Sequence, residues 1–143
     1  MKRKVLTLTL LFALLLTMLP QTFAGDVIRC SDWAREYIEM ACSDKLVPDV
    51  LNGADLRQQI TRAEFAAVAV RLYEALTGTD VPLTQERPFS DTDDAEVLRA
   101  YSLGIVNGIG GGRYQPEGGL TREQALTAVK KYRERFTTVG IFE

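Results

Sequence analysis

Apolar side chains recur every three or four positions in the segment 61–77, which is the spacing of one face of an α-helix. They are Phe65, Val68, Ala69, Leu72, Tyr73 and Leu76. The segment 121–136 repeats this spacing with fewer apolar positions, namely Ala125, Val129, Tyr132 and Phe136. Both segments are therefore predicted to form amphipathic helices that bury these residues.

Two shorter segments carry the same helical signal. The first places Trp33, Tyr37, Ile38 and Ala41 on one side of a helix over 31–43. The second places Ala95, Val97, Leu98 and Tyr101 similarly over 95–101. The sequence has no alternating pattern of useful length for a strand. These features predict an all-α fold of four main helices, arranged as tandem helix–loop–helix repeats and packed as a small helical bundle.

The order of the predicted elements reflects an internal repeat. Ser31-Asp32 recurs as Ser90-Asp91 after 59 positions, and Thr61-Arg62 recurs as Thr121-Arg122 after 60 positions. The join at 77–88 contains one glycine and two prolines, which cannot continue a helix. The predicted units are residues 25–89 and residues 90–143.

The second helix of each unit begins with the same local signal. Thr61 and Glu64 have the spacing of a capping box, in which threonine caps the helix and the acid bonds back to the threonine N–H. Thr121 and Gln124 repeat that spacing with an amide. These four residues have a structural explanation that requires no ligand.

An arginine follows each capping threonine, at Arg62 and Arg122. A cation has the wrong charge for a helix N-terminus, where the backbone dipole favours anions. One hypothesis is that each guanidinium, together with free helical N–H groups, forms an anion-binding site. The alternative is an ion pair with a neighbouring aspartate or glutamate.

The first 24 residues have the organisation of a signal peptide. Residues 1–4 are basic, residues 5–19 are apolar and uncharged, and Thr22-Phe23-Ala24 provides small residues at the positions that a signal peptidase recognises. We therefore expect an exported chain without a transmembrane segment after cleavage. Without Lys2, Arg3 and Lys4, 14 basic and 19 acidic residues remain, a net charge of −5. This balance argues against nucleic acid as a partner.

Cysteine and histidine content limits the chemistry of the chain. The sequence has no histidine and two cysteines, Cys30 and Cys42, so the usual four ligands of a zinc site are lacking. A helix between the cysteines would separate their Cα atoms by about 18 Å, against a limit of roughly 7 Å for a disulfide. We expect unpaired cysteines, no metal and no cofactor; an intermolecular bridge through Cys30 is the alternative.

The repeated elements resemble the S-layer homology (SLH) module. In the first unit the resemblance lies in Ser31-Asp-Trp-Ala34 and in residues 60–65, "ITRAEF". In the second it lies in Phe89-Ser-Asp91, in Gly104-Ile-Val-Asn-Gly108 and in residues 120–124, "LTREQ". The resemblance implies two tandem SLH modules, one in each predicted unit.

The resemblance also implies a function. SLH modules attach proteins to the cell wall of Gram-positive-type bacteria by binding a secondary cell-wall polysaccharide, typically an anionic, pyruvylated one. The implied ligand-binding residues are Arg62, Arg122, Asp32, Asp91, Trp33, Gly104 and Gly108. By the resemblance, the arginines would hold the carboxylate and the aspartates would accept sugar hydroxyls. The tryptophan would form the wall of the groove, and the glycines would let backbone N–H groups approach the sugar.

Some features depart from the family pattern and leave an alternative open. SLH proteins commonly carry three modules, whereas this chain has two, and unit one has Lys45 and Pro48 where unit two has Gly104 and Asn107. The chain could instead self-associate or complete the assembly of another SLH protein. Burial of Trp33 and Phe65 would favour glycan binding, and exposed apolar patches would favour the interaction role. Neither reading predicts an enzyme.

Overall fold

The computed structural model describes residues 29–138 and residue 140, so the predicted signal peptide lies outside the described residues. The helices of the described residues are α1 (Arg35–Ser43), α2 (Arg62–Thr77), α3 (Ala95–Ser102) and α4 (Arg122–Thr138). Short 3₁₀ turns span Asp32–Ala34 and Asp49–Leu51. The described residues contain isolated β-bridges and no strand. The prediction of an all-α fold is therefore confirmed for the described part.

Both predicted capping boxes are present. At α2 the Thr61 hydroxyl accepts from the Glu64 N–H at 3.2 Å, and the Glu64 carboxylate accepts from the Thr61 N–H at 2.7 Å. At α4 the same two bonds join Thr121 and Gln124, at 3.2 and 3.0 Å. These local interactions satisfy N–H groups that have no partner within their own helix.

The core forms where α2 packs against α3. Small and branched residues on α2, including Ala66 and Val70, contact the buried side of α3, which carries Val97, Leu98 and Ala100. Of the positions predicted for this face, Val97 and Leu98 are buried and Ala95 and Tyr101 are half-buried, whereas Ala100 is buried without having been predicted. Close approach of the two helices depends on the small alanines on the facing side of α2.

The predicted buried face of α2 is partly wrong. Ala69 and Tyr73 are buried as expected, but Phe65, Val68 and Leu72 are only half-buried. Leu76 is exposed, and Ala66, Ala67 and Val70 take the most buried positions instead. Because α2 is apolar on most of its circumference, periodicity alone does not identify the side that meets α3.

Two aromatic clusters attach α4 and the loop after α3 to this core. Phe89 contacts the rings of Tyr101 and Tyr114, at centroid distances of 5.2 and 5.1 Å. Phe136, which is fully buried near the end of α4, contacts Tyr73 at 5.5 Å and Tyr132 at 4.6 Å. The second cluster attaches α4 to α2 and the first holds the loop that follows α3.

The first helix lies at the edge of the molecule. No residue of α1 is buried, and Trp33 just before it is 80% exposed. The expectation that Trp33 is buried is therefore wrong, and that of Phe65 holds only in part. Trp33 precedes a helix that packs against no other helix of the described part.

Both cysteines are unpaired, as expected from their separation along one helical segment. Cys30 is half-buried and Cys42 is exposed. Among the described helices, none has the length and apolar character needed to cross a membrane.

Candidate functional site

Arg62 is buried between the two halves of the chain. Only 6% of the surface of this residue is exposed, yet its side chain forms no ion pair within the described residues. Instead Nε donates to the Tyr114 carbonyl and Nη2 donates to the Asn107 carbonyl, both at 2.8 Å. The ion-pair alternative is thus wrong for Arg62: backbone carbonyls take the place of a carboxylate. A planar guanidinium suits this task because its donors diverge in a fixed geometry.

The start of α2 offers no free N–H groups. The Arg62 N–H donates to the Gly118 carbonyl at 2.9 Å, and the Ala63 N–H donates to the Pro116 carbonyl at 3.0 Å. Thr61 accepts from the next two N–H groups along the helix. The expectation of free helical N–H groups beside Arg62 is therefore wrong, because the loop before α4 occupies them.

Tyr114 completes a reciprocal contact with Arg62. The Tyr114 hydroxyl donates to the Arg62 carbonyl at 2.8 Å, and the guanidinium carbon lies 4.5 Å from the centre of the Tyr114 ring. Burial raises the pKa of Tyr114 to about 12, against an opposing effect of the Arg62 charge. The hydroxyl is protonated at neutral pH, as an ordinary tyrosine hydroxyl also is, and burial extends the pH range over which it can donate.

Asp91 holds the other side of the same loop. Its two carboxylate oxygens accept from the N–H groups of Tyr114 at 2.8 Å and Gln115 at 2.9 Å. The pKa of Asp91 is lowered, chiefly by the hydrogen bond from the Tyr114 N–H; desolvation opposes this effect, and the bond from the Gln115 N–H adds to it. This geometry engages Asp91 with the backbone of its own unit.

The two glycines of the sequence prediction have different surroundings. A Cβ on Gly108 would lie 2.7 Å from the Arg113 carbonyl oxygen and 2.9 Å from Phe89, so the loop can close on Phe89 only with glycine there. Gly104 follows α3 with a φ of +74°, a conformation that glycine adopts readily, and a Cβ there would meet open space.

The other predicted site residues lie at the surface. Arg122 is exposed and forms no ion pair within the described residues. Asp32 is exposed beside Arg35 at 3.5 Å, and Trp33 stands next to it. The structure thus brings Arg62, Asp91 and Gly108 to one loop, and leaves Asp32, Trp33 and Arg122 apart from it.

An open cleft of about 440 Å³ lies beside Arg62 and is bordered by both units. Arg62 and Phe65 contribute from α2, and residues 105–109 contribute from the loop after α3. The beginning and middle of α4 form the opposite side. A volume of this size falls within the range of small-molecule sites in proteins. Of the seven predicted residues, Arg62 and Gly108 line the cleft.

Sequence reasoning missed the polar residues that α4 presents to this cleft. They include Glu123, Thr127 and Lys131, which follow each other at intervals of four residues and so share one helix face. The four-residue interval can be read from the sequence. The position of the loop on the other side of the cleft cannot, because it depends on the long-range contacts of Arg62.

Family comparison identifies the segment that forms most of this cleft. Residues 88–126, which include the loop after α3 and the start of α4, match the model of the S-layer homology domain. The chain contains an SLH domain. The SLH domain is a cell-wall anchoring module, and its presence implies association with a bacterial cell surface.

Curated relatives are similar over a longer part of the chain. An amylopullulanase of Thermoanaerobacterium thermosulfurigenes is 29% identical over 123 residues, covering 80% of this chain and 7% of the relative. An endoglucanase of a Bacillus species is 30% identical over 105 residues, covering 68% of this chain and 11% of the relative. An exoglucanase of Acetivibrio thermocellus is 27% identical over 125 residues, covering 80% of this chain and 11% of the relative.

The chain therefore spans roughly a tenth of the length of these relatives. No solved structure matches the chain with significance.

The contacts of Arg62 predict a stability effect. Replacing Arg62 with Met should lower the free energy of unfolding by about 3 kcal/mol, because two buried carbonyls lose a charged donor. The matched control is Arg122→Met at the equivalent, exposed position, which should change it by less than about 0.5 kcal/mol. Urea unfolding of both variants measures the difference. Equal effects of the two substitutions would contradict the structural role of Arg62.

Proposed function

We propose that this chain binds an anionic, pyruvylated-type secondary cell-wall polysaccharide through the cleft beside Arg62 and thereby anchors itself to the wall of a Gram-positive-type bacterium. The observation that carries the proposal is the position of the cleft. It lies along the segment that matches the SLH domain and has room for a small ligand. Its lining contains two cationic side chains, Arg62 and Lys131, and one carboxylate, Glu123, so the net positive charge suits an anion.

In this proposal Arg62 acts by shaping the cleft. Its Nε and Nη2 atoms are engaged by carbonyls, and those bonds hold Asn107 and Tyr114 in the cleft wall. Its positive charge still contributes to the field in the cleft, since hydrogen bonds to carbonyls do not neutralise a guanidinium. Asp91 holds the same loop by accepting hydrogen bonds from the Tyr114 and Gln115 N–H groups.

We extend the proposal to residues 25–89 as a second SLH module. Relatives align over 80% of the chain, well beyond the residues that the family model matches. The helix–loop–helix order and the capping boxes also recur in both units. Export through the predicted signal peptide belongs to the same proposal, since a wall polysaccharide is reached only outside the cell.

The proposed role is non-catalytic. Glycoside hydrolysis generally requires a pair of carboxyl groups flanking the bond that breaks. In the described residues the cleft is lined by one carboxylate, that of Glu123. This arrangement favours binding over hydrolysis.

Wall binding tests the function directly. The purified protein should sediment with native bacterial cell walls and remain in the supernatant when the walls have first been stripped of secondary polymer. Pelleting followed by quantification of the supernatant measures both fractions. Equal sedimentation with stripped and native walls would refute polysaccharide binding.

A second candidate function, self-association, is favoured by exposed apolar residues on the first and last helices, α1 and α4. Trp33 and Tyr37 lie exposed at α1, and Leu126 and Val129 lie exposed on α4, at 71% and 61%. Residues 32–45 carry four acidic and two basic side chains, whereas residues 122–138 carry five basic and two acidic ones. These charges favour contact between the α1 surface of one copy and the α4 surface of a second copy.

This candidate predicts a concentration-dependent dimer or chain of copies. Leu126→Ser should shift the protein towards monomer, because it removes apolar area from the contact. Leu83→Ser, at an exposed leucine away from both helices, is the control and should leave the distribution unchanged. Light scattering after size exclusion measures the mass. A strict monomer at high concentration would eliminate self-association, and complex formation only with another SLH protein would replace it.

A further inference from the structure

The face of α4 that lines the cleft carries two opposite charges. Glu123 lies in the first turn of the helix, Thr127 one turn later and Lys131 another turn later, and all three line the cleft. Eight residues of helix separate Glu123 from Lys131 by about 12 Å along the axis. A carboxylate and an ammonium group therefore stand at two ends of one helix face, with a threonine between them.

Lys131 is the available cation of this cleft. The Arg62 guanidinium lies in a residue 6% exposed and donates to two carbonyls, and Arg122 is not part of the cleft lining. Within residues 29–138, Lys131 forms no ion pair, whereas its neighbour Lys130 lies 3.7 Å from Glu134. An incoming anion would meet Lys131 without first displacing a protein carboxylate.

Glu123 gives the cleft a direction. Its carboxylate has no cationic partner among the described residues, and the Thr127 hydroxyl donates to its backbone carbonyl at 2.9 Å. A carboxylate repels an acidic substituent and accepts hydrogen bonds from sugar hydroxyls. An acidic sugar is therefore favoured with its acid towards Lys131 and its hydroxyls towards Glu123.

We propose that Lys131 contacts the acidic substituent of a saccharide bound in the cleft, and that Glu123, two helical turns away, accepts its hydroxyl groups. This inference rests on the proposed function and adds to it the residue that selects the charged form of the ligand. Arg62 is a positioning residue for the same site: it holds the opposite wall while Lys131 makes the ionic contact.

The test uses two probes that share one sugar and differ in whether the pyruvate carboxyl group is charged. They are a methyl hexopyranoside carrying a pyruvate ketal and the neutral methyl ester of the same compound, each titrated into the purified protein by calorimetry. The unsubstituted protein should prefer the acid. Lys131→Gln should weaken binding of the acid by about tenfold or more and leave the ester unchanged, because one charge-assisted contact is lost.

Lys130→Gln is the matched control, since it removes a neighbouring charge on the same helix outside the cleft. It should stay within about twofold of the unsubstituted protein for both probes. Glu123→Gln should weaken the ester while keeping the preference for the acid. Thermal unfolding should be the same for all three variants, because each position is at the surface or half-buried.

Three outcomes would overturn the inference: an unchanged preference for the acid in Lys131→Gln, an equal loss in Lys130→Gln, or binding of neither probe by a protein that sediments with native walls. In the first two cases the proposed function survives if sedimentation still requires the secondary polymer; in the third, binding of the wall polymer survives, but its assignment to a pyruvylated sugar does not. Failure of the unsubstituted protein to sediment refutes the proposed function itself.

Discussion

A buried guanidinium that donates to two backbone carbonyls joins the halves of this chain. Arg62 belongs to the first unit, and the carbonyls of Asn107 and Tyr114 belong to the second. Leaving any of these groups buried without a partner would cost free energy, so their pairing fixes the loop after α3 against the start of α2. The Tyr114 hydroxyl and the Asp91 carboxylate hold the same loop from its other sides. The cleft exists because this loop is held at that position.

The parts of the structure that depend on neighbouring residues were predictable from the sequence. Thr61 with Glu64 and Thr121 with Gln124 form the predicted capping boxes, because each box joins residues three positions apart. The destination of the Arg62 side chain was not predictable in this way. Its acceptors lie 45 and 52 residues further along the chain. They are backbone carbonyls, which nearly every residue has, so the residue type does not indicate which carbonyl accepts.

Burial was harder to predict than helix formation. Spacing located α2 but assigned Leu76 to its buried face, because a helix that is apolar on most sides offers several candidate faces. Trp33 was expected inside and is exposed, since α1 packs against no other described helix. Glu123, Thr127 and Lys131 form a polar stripe that the sequence shows, but their importance follows only from the loop that Arg62 holds opposite them. The SLH domain match at residues 88–126 includes the loop that forms this wall.

The most direct test of this account is the environment of the Arg62 Nε–H group in solution. Nuclear magnetic resonance can measure its exchange with water and its scalar coupling across the hydrogen bond to a carbonyl carbon. The account predicts slow exchange and a coupling to the Tyr114 carbonyl, both retained when a saccharide fills the cleft. An Arg62 Nε–H that exchanges as fast as that of exposed Arg122, or that loses its carbonyl partner to a bound anion, would contradict it.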